Sequence, residues 1–247
     1  VKLSQQLLRE QNDELLRINE DLDNFVYTAS HDLKQPIHNM AGIFEELTRT
    51  AYFRDPDAIK LISMFEKSLH QIYGTIHDLS DLVRLQKLRH EQPAEPIELA
   101  QLTQEVLGSI GDPLASRAVV HTDFAAVPVV QFVRPHLQSI LYNLVSNALK
   151  YAAPTRRPLI RLCSYRAPAT GLPVLEVQDN GLGLDLERFG GEVFQLFRRF
   201  HDHVEGSGLG LYLVNRVVQS YGGHVSIESV VGEGTTLRIH FPASALP

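Results

Sequence analysis

The chain has 247 residues, 44% of them hydrophobic and 21% charged, with 23 Lys and Arg against 29 Asp and Glu for a formal net charge of −6. Both signs of charge are mixed along it, which leaves no basic footprint for a nucleic-acid backbone, so no DNA or RNA partner is expected. The single cysteine, Cys163, excludes an intramolecular disulfide framework, and no apolar run approaches the roughly 20 residues of a membrane span.

The first expected element is one long helix from about residue 3 to residue 50. Leu8, Gln11, Leu15, Ile18, Leu22, Phe25 and Ala29 alternate spacings of three and four, a coiled-coil seam with one polar member. Leu33, Ile37, Met40, Phe44 and Leu47 continue an apolar stripe. His31 falls off the seam and should face water, with the carboxylate of Asp32 beside it. A carboxylate within hydrogen-bond reach raises the nucleophilicity of a neutral imidazole. Pro36 removes a backbone donor five residues later, so the helix should kink or loosen just past His31.

Asp55 can cap a second helix and Pro56 suits its first turn. That helix carries Ile62, Phe65, Leu69, Ile72, Ile76, Leu79, Val83 and Gln86, again at spacings of three and four. A hairpin of two such helices cannot cover both stripes by itself, and a dimeric four-helix bundle is the natural solution. Residues 87–97 lose the periodicity and hold two prolines among polar groups, which reads as a linker. The boundaries expected are therefore residues 1–90 for the coiled coil and helical hairpin and 97–247 for a second domain.

In the second domain, Leu99–Ile110 and Arg134–Tyr151 read as helices, and Val119–Phe124 and Val127–Val130 as extended segments. Strands then alternate with turns before a final helix and hairpin, which indicates an α/β sandwich with a largely antiparallel sheet. Cys163 lies in a strand-like run and is expected to be a buried structural thiol.

Four separated motifs in this domain suit one ligand. On the second helix, Asn143, Asn147 and Lys150 recur at spacings of four and three, which puts two amides and an ammonium on one face. An amide oxygen is a hard neutral ligand suited to Mg²⁺, and a lysine can neutralise phosphate; paired asparagines also serve as hydrogen-bond fillers. Next, a strand runs into Asp179-Asn180-Gly181-Leu182-Gly183. A carboxylate at Asp179 can accept from the exocyclic amine of adenine, where guanine presents a carbonyl, and Gly181 and Gly183 permit positive φ and close backbone approach. An ordinary hairpin turn has the same composition.

Phe194 and Phe197 can anchor a loop that leaves Arg199 free to meet a phosphate. The last motif, Gly206-Ser207-Gly208-Leu209-Gly210-Leu211, opens a helix whose N–H groups and dipole can cradle a polyphosphate. It is neither the dinucleotide fingerprint, since its third glycine comes one residue early, nor a phosphate-binding loop, since no Gly-Lys-Ser/Thr occurs.

Ser30-His31-Asp32-Leu33-Lys34-Gln35-Pro36 resembles the phosphoacceptor box of sensor histidine kinases of two-component systems. The four later motifs, in their order, resemble the nucleotide boxes of that family's catalytic domain, an α/β sandwich of the Bergerat (GHKL) type, and Gly232-Glu233-Gly234-Thr235-Thr236 resembles its closing hairpin. The resemblance covers roughly residues 20–242. It implies that His31 takes the γ-phosphoryl group of Mg-ATP, with Asp32 accepting or orienting the ring proton. It also implies that Asn147 holds Mg²⁺, with Asn143 on the first asparagine of its box. Lys150 and Arg199 then meet phosphates, Tyr151 packs near the nucleoside, Asp179 reads adenine, and Gly206, Gly208, Gly210 and Leu211 line the phosphates. The implied partners are a second copy of the chain, the receiver domain of a response regulator and an upstream sensory domain.

The same fold serves ATP hydrolases such as gyrase, which carry a glutamate four residues before the metal-binding asparagine. Asn143 stands there and cannot take a proton from water, so phosphoryl transfer to protein is favoured over hydrolysis. Gln35 stands where family members that also dephosphorylate their regulator carry Thr or Asn. The chain opens at Val1 directly in a coiled-coil pattern with no secretory signal, so a cytoplasmic segment of something longer is expected.

Overall fold

The computed structural model describes residues 29, 33–49, 57–65, 68–69, 72, 75–76, 93–110, 118–198, 200 and 208–246. The chain divides into two compact units, Val1–Arg84 and Leu85–Pro247. Leu8 to Phe25 of the expected seam, the cap pair Asp55 and Pro56, and the stripe positions Leu79, Val83 and Gln86 lie outside the described residues, as do His31 and Asp32.

In the first unit, helix α1 spans residues 33–49, and helix α2 spans residues 57–65 and is helical again at 68, 69, 72, 75 and 76. Helix α1 passes through Pro36 without interruption. Ile37 packs with Leu69 and Ile76 in a buried cluster against which Ala41 and Phe44 lie. The Phe44 and Phe65 rings meet at 4.4 Å. The expected single stripe is thus split. Ile37 and Phe44 turn towards α2, whereas Leu33, Met40 and Leu47, also one heptad apart, stay 50%, 45% and 51% exposed.

The second unit begins with strand β1 (Glu95–Glu98), which pairs antiparallel with β3 (Val129–Phe132), Ile97 opposite Val130. This corrects the reading of residues 87–97 as linker throughout. Only Ile97 of the four strand residues is buried, so the strand is too short to show a period, and pairing with a distant segment is what forms it. Helix α3 (Leu99–Ser109) follows, then β2 (Val119–Asp123), β3 and helix α4 (Arg134–Lys150). Strands β4 (Leu159–Arg166) and β5 (Pro173–Asp179), the one-turn helix α5 (Leu186–Phe189), helix α6 (Gly210–Ser220), and strands β6 (His224–Val230) and β7 (Gly234–His240) complete the unit.

The main sheet has the order β2-β4-β5-β7-β6, parallel between β2 and β4 and antiparallel elsewhere. It agrees with the expected α/β sandwich and largely antiparallel sheet. Helix α4 is built from mediocre helix formers such as Asn, Ser, His and Val, each costing up to about 0.7 kcal/mol against alanine. Packing outweighs them. Leu137, Ile140, Leu141, Leu144, Val145, Ala148 and Leu149 are buried along one side, at roughly 1.5–3 kcal/mol for each large side chain. They join Leu102 and Val106 of α3 and Val214 and Val218 of α6 over Ile160, Leu162, Leu175, Val177 and Ile239 of the sheet.

The opposite sheet face is polar. Arg238 pairs with Glu176 at 2.7 Å and with Glu228 at 2.6 Å. The Cys163 thiol donates to Glu176 at 3.6 Å. Cys163 is half-buried, not the fully buried thiol expected, because the register puts it on this polar face opposite Glu176. Among the described residues, no helix is long and apolar enough to cross a membrane.

Candidate functional site

Helix α4 buries its leucines on one side and turns Asn143 and Asn147 to another, where they meet the start of α6. A β-carbon at Gly210 would lie 2.7 Å from Asn143 Oδ1 and 3.7 Å from Asn147 Nδ2. The absence of a side chain at Gly210 is therefore what lets the helix N-terminus approach the two amides. Asn143 Nδ2 donates to the Ser139 carbonyl at 2.9 Å, which fixes which end of the amide faces α6. Lys150 is the last residue of α4 and is exposed. Tyr151 caps the helix, its N–H donating to the Asn147 carbonyl at 2.9 Å.

At the start of α6, Leu209 is the N-cap, and among the described residues no side chain caps the helix. The first-turn N–H groups and the positive end of the helix dipole lie at this end of α6. Gly208 has φ +73, and a β-carbon there would meet the Arg198 carbonyl at 2.8 Å, so this turn requires glycine. Leu211, half-buried, sits in the first turn of α6. Gly206 and Arg199 lie outside the described residues.

Asp179 ends β5 and is half-buried. Its Oδ1 accepts from the Gly181 N–H at 2.7 Å and from the Thr235 N–H at 3.3 Å. Burial raises its pKa above the ordinary carboxylate value, opposed by these two bonds and by the charge of Arg156. Gly181 needs no positive φ, but a β-carbon there would collide with the Tyr151 carbonyl. Gly183 has φ +68 and lies against the Val230 carbonyl. The turn is further pinned by Leu182 N–H to the Tyr151 carbonyl at 2.9 Å, and by Gly232 N–H to the Leu182 carbonyl at 2.7 Å.

The structure thus brings together, within the second unit, two groups of expected residues. Asn143 and Asn147 meet Gly210, and Tyr151 meets Gly181 beside Asp179. Phe197 departs from expectation. Its side chain is 56% exposed and its φ is +61, whereas Phe194 is half-buried and Phe200 packs on Phe189 at 5.1 Å. Sequence reasoning also missed Arg156 and Thr235. Arg156 lies in an irregular loop with no periodicity to flag it, and Thr235 acts through its backbone N–H. Among the described residues, no three His, Cys, Asp or Glu side chains are grouped to hold a metal ion.

Residues 132–245 match the family described as histidine kinase-, DNA gyrase B- and HSP90-like ATPase. The methanogenesis regulatory histidine kinase FilI of Methanothrix harundinacea is 31% identical over 236 residues, 95% of this chain and 26% of that protein. The sensor histidine kinase AtsR of Burkholderia thailandensis is 30% identical over 237 residues, 90% of this chain and 38% of that protein. Nearly the whole chain is thus similar to sensor histidine kinases, and residues 132–245 match the ATPase family. The chain spans well under half the length of these two relatives. Full-length ShkA, solved in complex with AMPPNP, shares the fold at a TM-score of 0.65 and 20% identity, over 88% of this chain and 45% of that one. The likeness to sensor histidine kinases extends beyond the ATPase region, into the helical unit that carries His31.

Proposed function

We propose that this chain is the kinase core of a two-component sensor, which transfers the γ-phosphoryl group of ATP to His31 and then to an aspartate of a response regulator. The observation that carries the reading is the approach of Gly210 to Asn143 and Asn147. It sets two amides beside a helix N-terminus that, among the described residues, no side chain caps. A polyphosphate is the ligand that uses both: its charge suits the helix end, and its metal ion suits an amide oxygen.

Asn147 would hold Mg²⁺. Mg²⁺ binds by few protein ligands together with substrate phosphates, which fits a site furnishing amide oxygen and no acidic cluster among the described residues. The ion would neutralise charge on the transferring phosphoryl group. Lys150 and Arg199 meet phosphate oxygens, with Gly206, Gly208 and Leu211 lining them, and Tyr151 packs beside the nucleoside. Both protein bonds to Asp179 fall on Oδ1, so Oδ2 takes the exocyclic amine of adenine. His31 Nε2 attacks the γ-phosphorus as the bond to the β-bridging oxygen breaks and ADP leaves, with Asp32 taking or orienting the proton on Nδ1.

The helical unit is read as a dimerisation hairpin, residues 1–90, followed by the catalytic domain from about residue 97. The exposed heptad Leu33, Met40 and Leu47 supports a second copy as its cover. The greater length of the relatives supports a sensory segment elsewhere in the whole protein.

Incorporation of γ-labelled phosphate from Mg-ATP into wild type and His31→Gln tests the reading. Acid-labile, alkali-stable label that vanishes in the variant is expected. Label that persists in His31→Gln would move the acceptor elsewhere, with His38, exposed on α1, the first alternative.

A further inference from the structure

Arg156 stands in the loop between α4 and β4, exposed, and a long cation in such a place ordinarily wanders in solvent. Here it does not. Its Nε donates to the Asn180 carbonyl at 2.5 Å, and its Nη2 donates to the Gly181 carbonyl and to the Gly232 carbonyl, both at 2.7 Å. One guanidinium therefore joins two loops that are far apart in the chain, the turn after Asp179 and the hairpin between β6 and β7.

Gly181 of the first loop and Thr235, at the start of β7 just after the second, supply the N–H groups that hold Asp179 Oδ1. Asn180 reinforces the same junction from its other side. Its Oδ1 accepts from the Leu159 N–H at 2.9 Å, and its Nδ2 donates to the Arg157 carbonyl at 3.1 Å. The carboxylate thus sits in a cradle whose two halves are clamped by Arg156.

We propose that Arg156 is a positioning residue for base recognition, its guanidinium fixing the Asn180–Gly181 turn against the Gly232 turn so that Asp179 is held in register for adenine. This rests on the reading of the second unit as an ATP site. A planar fork with several donors can bridge three carbonyls, whereas an ammonium is a single point of charge, so lysine is a poor replacement. The charge of Arg156 also reaches Asp179 and favours its ionised, accepting form.

The test is equilibrium binding of Mg-ATP and Mg-GTP to the full chain, compared among wild type, Arg156→Ala, Arg156→Lys, Asp179→Asn and Arg166→Ala. Arg166, whose Nη1 donates only to the Gly171 carbonyl at 3.2 Å, is the surface-arginine control. Arg156→Ala is expected to weaken ATP binding about tenfold, the loss of one charge-assisted hydrogen bond network member, and to narrow the ATP-to-GTP preference. Arg156→Lys should recover part of both, and Arg166→Ala should match wild type.

A general loosening of the domain would weaken both nucleotides alike, so unchanged base preference in Arg156→Ala overturns the proposal even where affinity falls. Wild-type ATP affinity in a folded Arg156→Ala overturns it as well. If wild type fails to bind ATP, or Asp179→Asn binds it as well as wild type does, the nucleotide reading itself is overturned and this inference with it.

Discussion

Gly210 and Asn143 face each other so closely that a β-carbon on the first would lie 2.7 Å from the amide oxygen of the second. Gly210 has no positive φ, so alanine fits the backbone there, while the Asn143 amide must swing aside. Gly210→Ala is therefore expected to fold with near wild-type stability and to lose ATP affinity about tenfold. The rise in unfolding free energy at an ATP concentration one hundred times the wild-type Kd should fall from about 2.7 to about 1.4 kcal/mol, read by thermal or urea unfolding with and without nucleotide. A stable variant with an undiminished nucleotide-induced rise would count against the approach of the two helices as part of the site.

Asp179 pays for its position in the ionised state, because burial raises its pKa against the bonds from Gly181 and Thr235. The sign follows directly. Folding is favoured by its protonated form, so the contribution is complete below the ordinary value of 3.8 and is lost as pH rises through the raised folded value. Asp179→Asn keeps an oxygen for both N–H donors and removes the buried charge. It should melt above wild type at neutral pH, with the difference closing as pH approaches 3.8. It should also lose ATP binding, since its NH₂ would face the adenine amine donor to donor. Melting curves across pH, paired with nucleotide titration, check both halves.

The elements that sequence patterning made legible are those with many residues repeating one environment. Helix α4 announced itself through seven buried apolar positions, and its amide face through what remained. The Asp179 turn was legible because Asp, Asn and Gly have few other common uses at a strand end. Strand β1 was not, since one buried residue in four makes no period. Arg156 was invisible for a different reason. Its three partners are backbone carbonyls, which carry no sequence identity, and they come from segments that only the folded sheet brings together. The apolar stripe of α1 was visible as one stripe, but its division into an inward and an outward seam depends on where α2 lies.

His240 adds a pH dependence on the polar sheet face. Burial lowers its pKa first, then the charge of His224, whose ring stacks on it at 4.1 Å, then Arg238 on the same strand. Ser226 Oγ meets its Nε2 at 2.9 Å, and across β5 it pairs with the neutral Val174. A depressed value favours the neutral folded form, so its stabilising contribution is present above the ordinary 6.5 and is lost as pH falls through the folded value. Wild type should hold its melting temperature above pH 6.5 and lose it on acidification below that value more steeply than His240→Asn. Parallel profiles for the two proteins would place the acid sensitivity elsewhere.

The two seams of the helical hairpin give the last prediction. Ile37, Leu69 and Ile76 are buried within one copy, whereas Leu33, Met40 and Leu47 on α1 and Phe65 and Ile72 on α2 are each 45% to 51% exposed. In each exposed set the members stand one heptad apart, the spacing of a helix-packing surface. A second copy laid on this surface would close a four-helix bundle and cover them together. Replacing Met40 and Leu47 with glutamate sets charges into that interface while leaving the inner cluster intact. Burying like charges opposite one another costs several kcal/mol, enough to raise a dimer dissociation constant by a hundredfold or more. Wild type should run as a dimer and Met40→Glu/Leu47→Glu as a monomer of unchanged helix content, measured by light scattering and circular dichroism at micromolar concentration. A variant that stays dimeric would assign the dimer contact to some other surface.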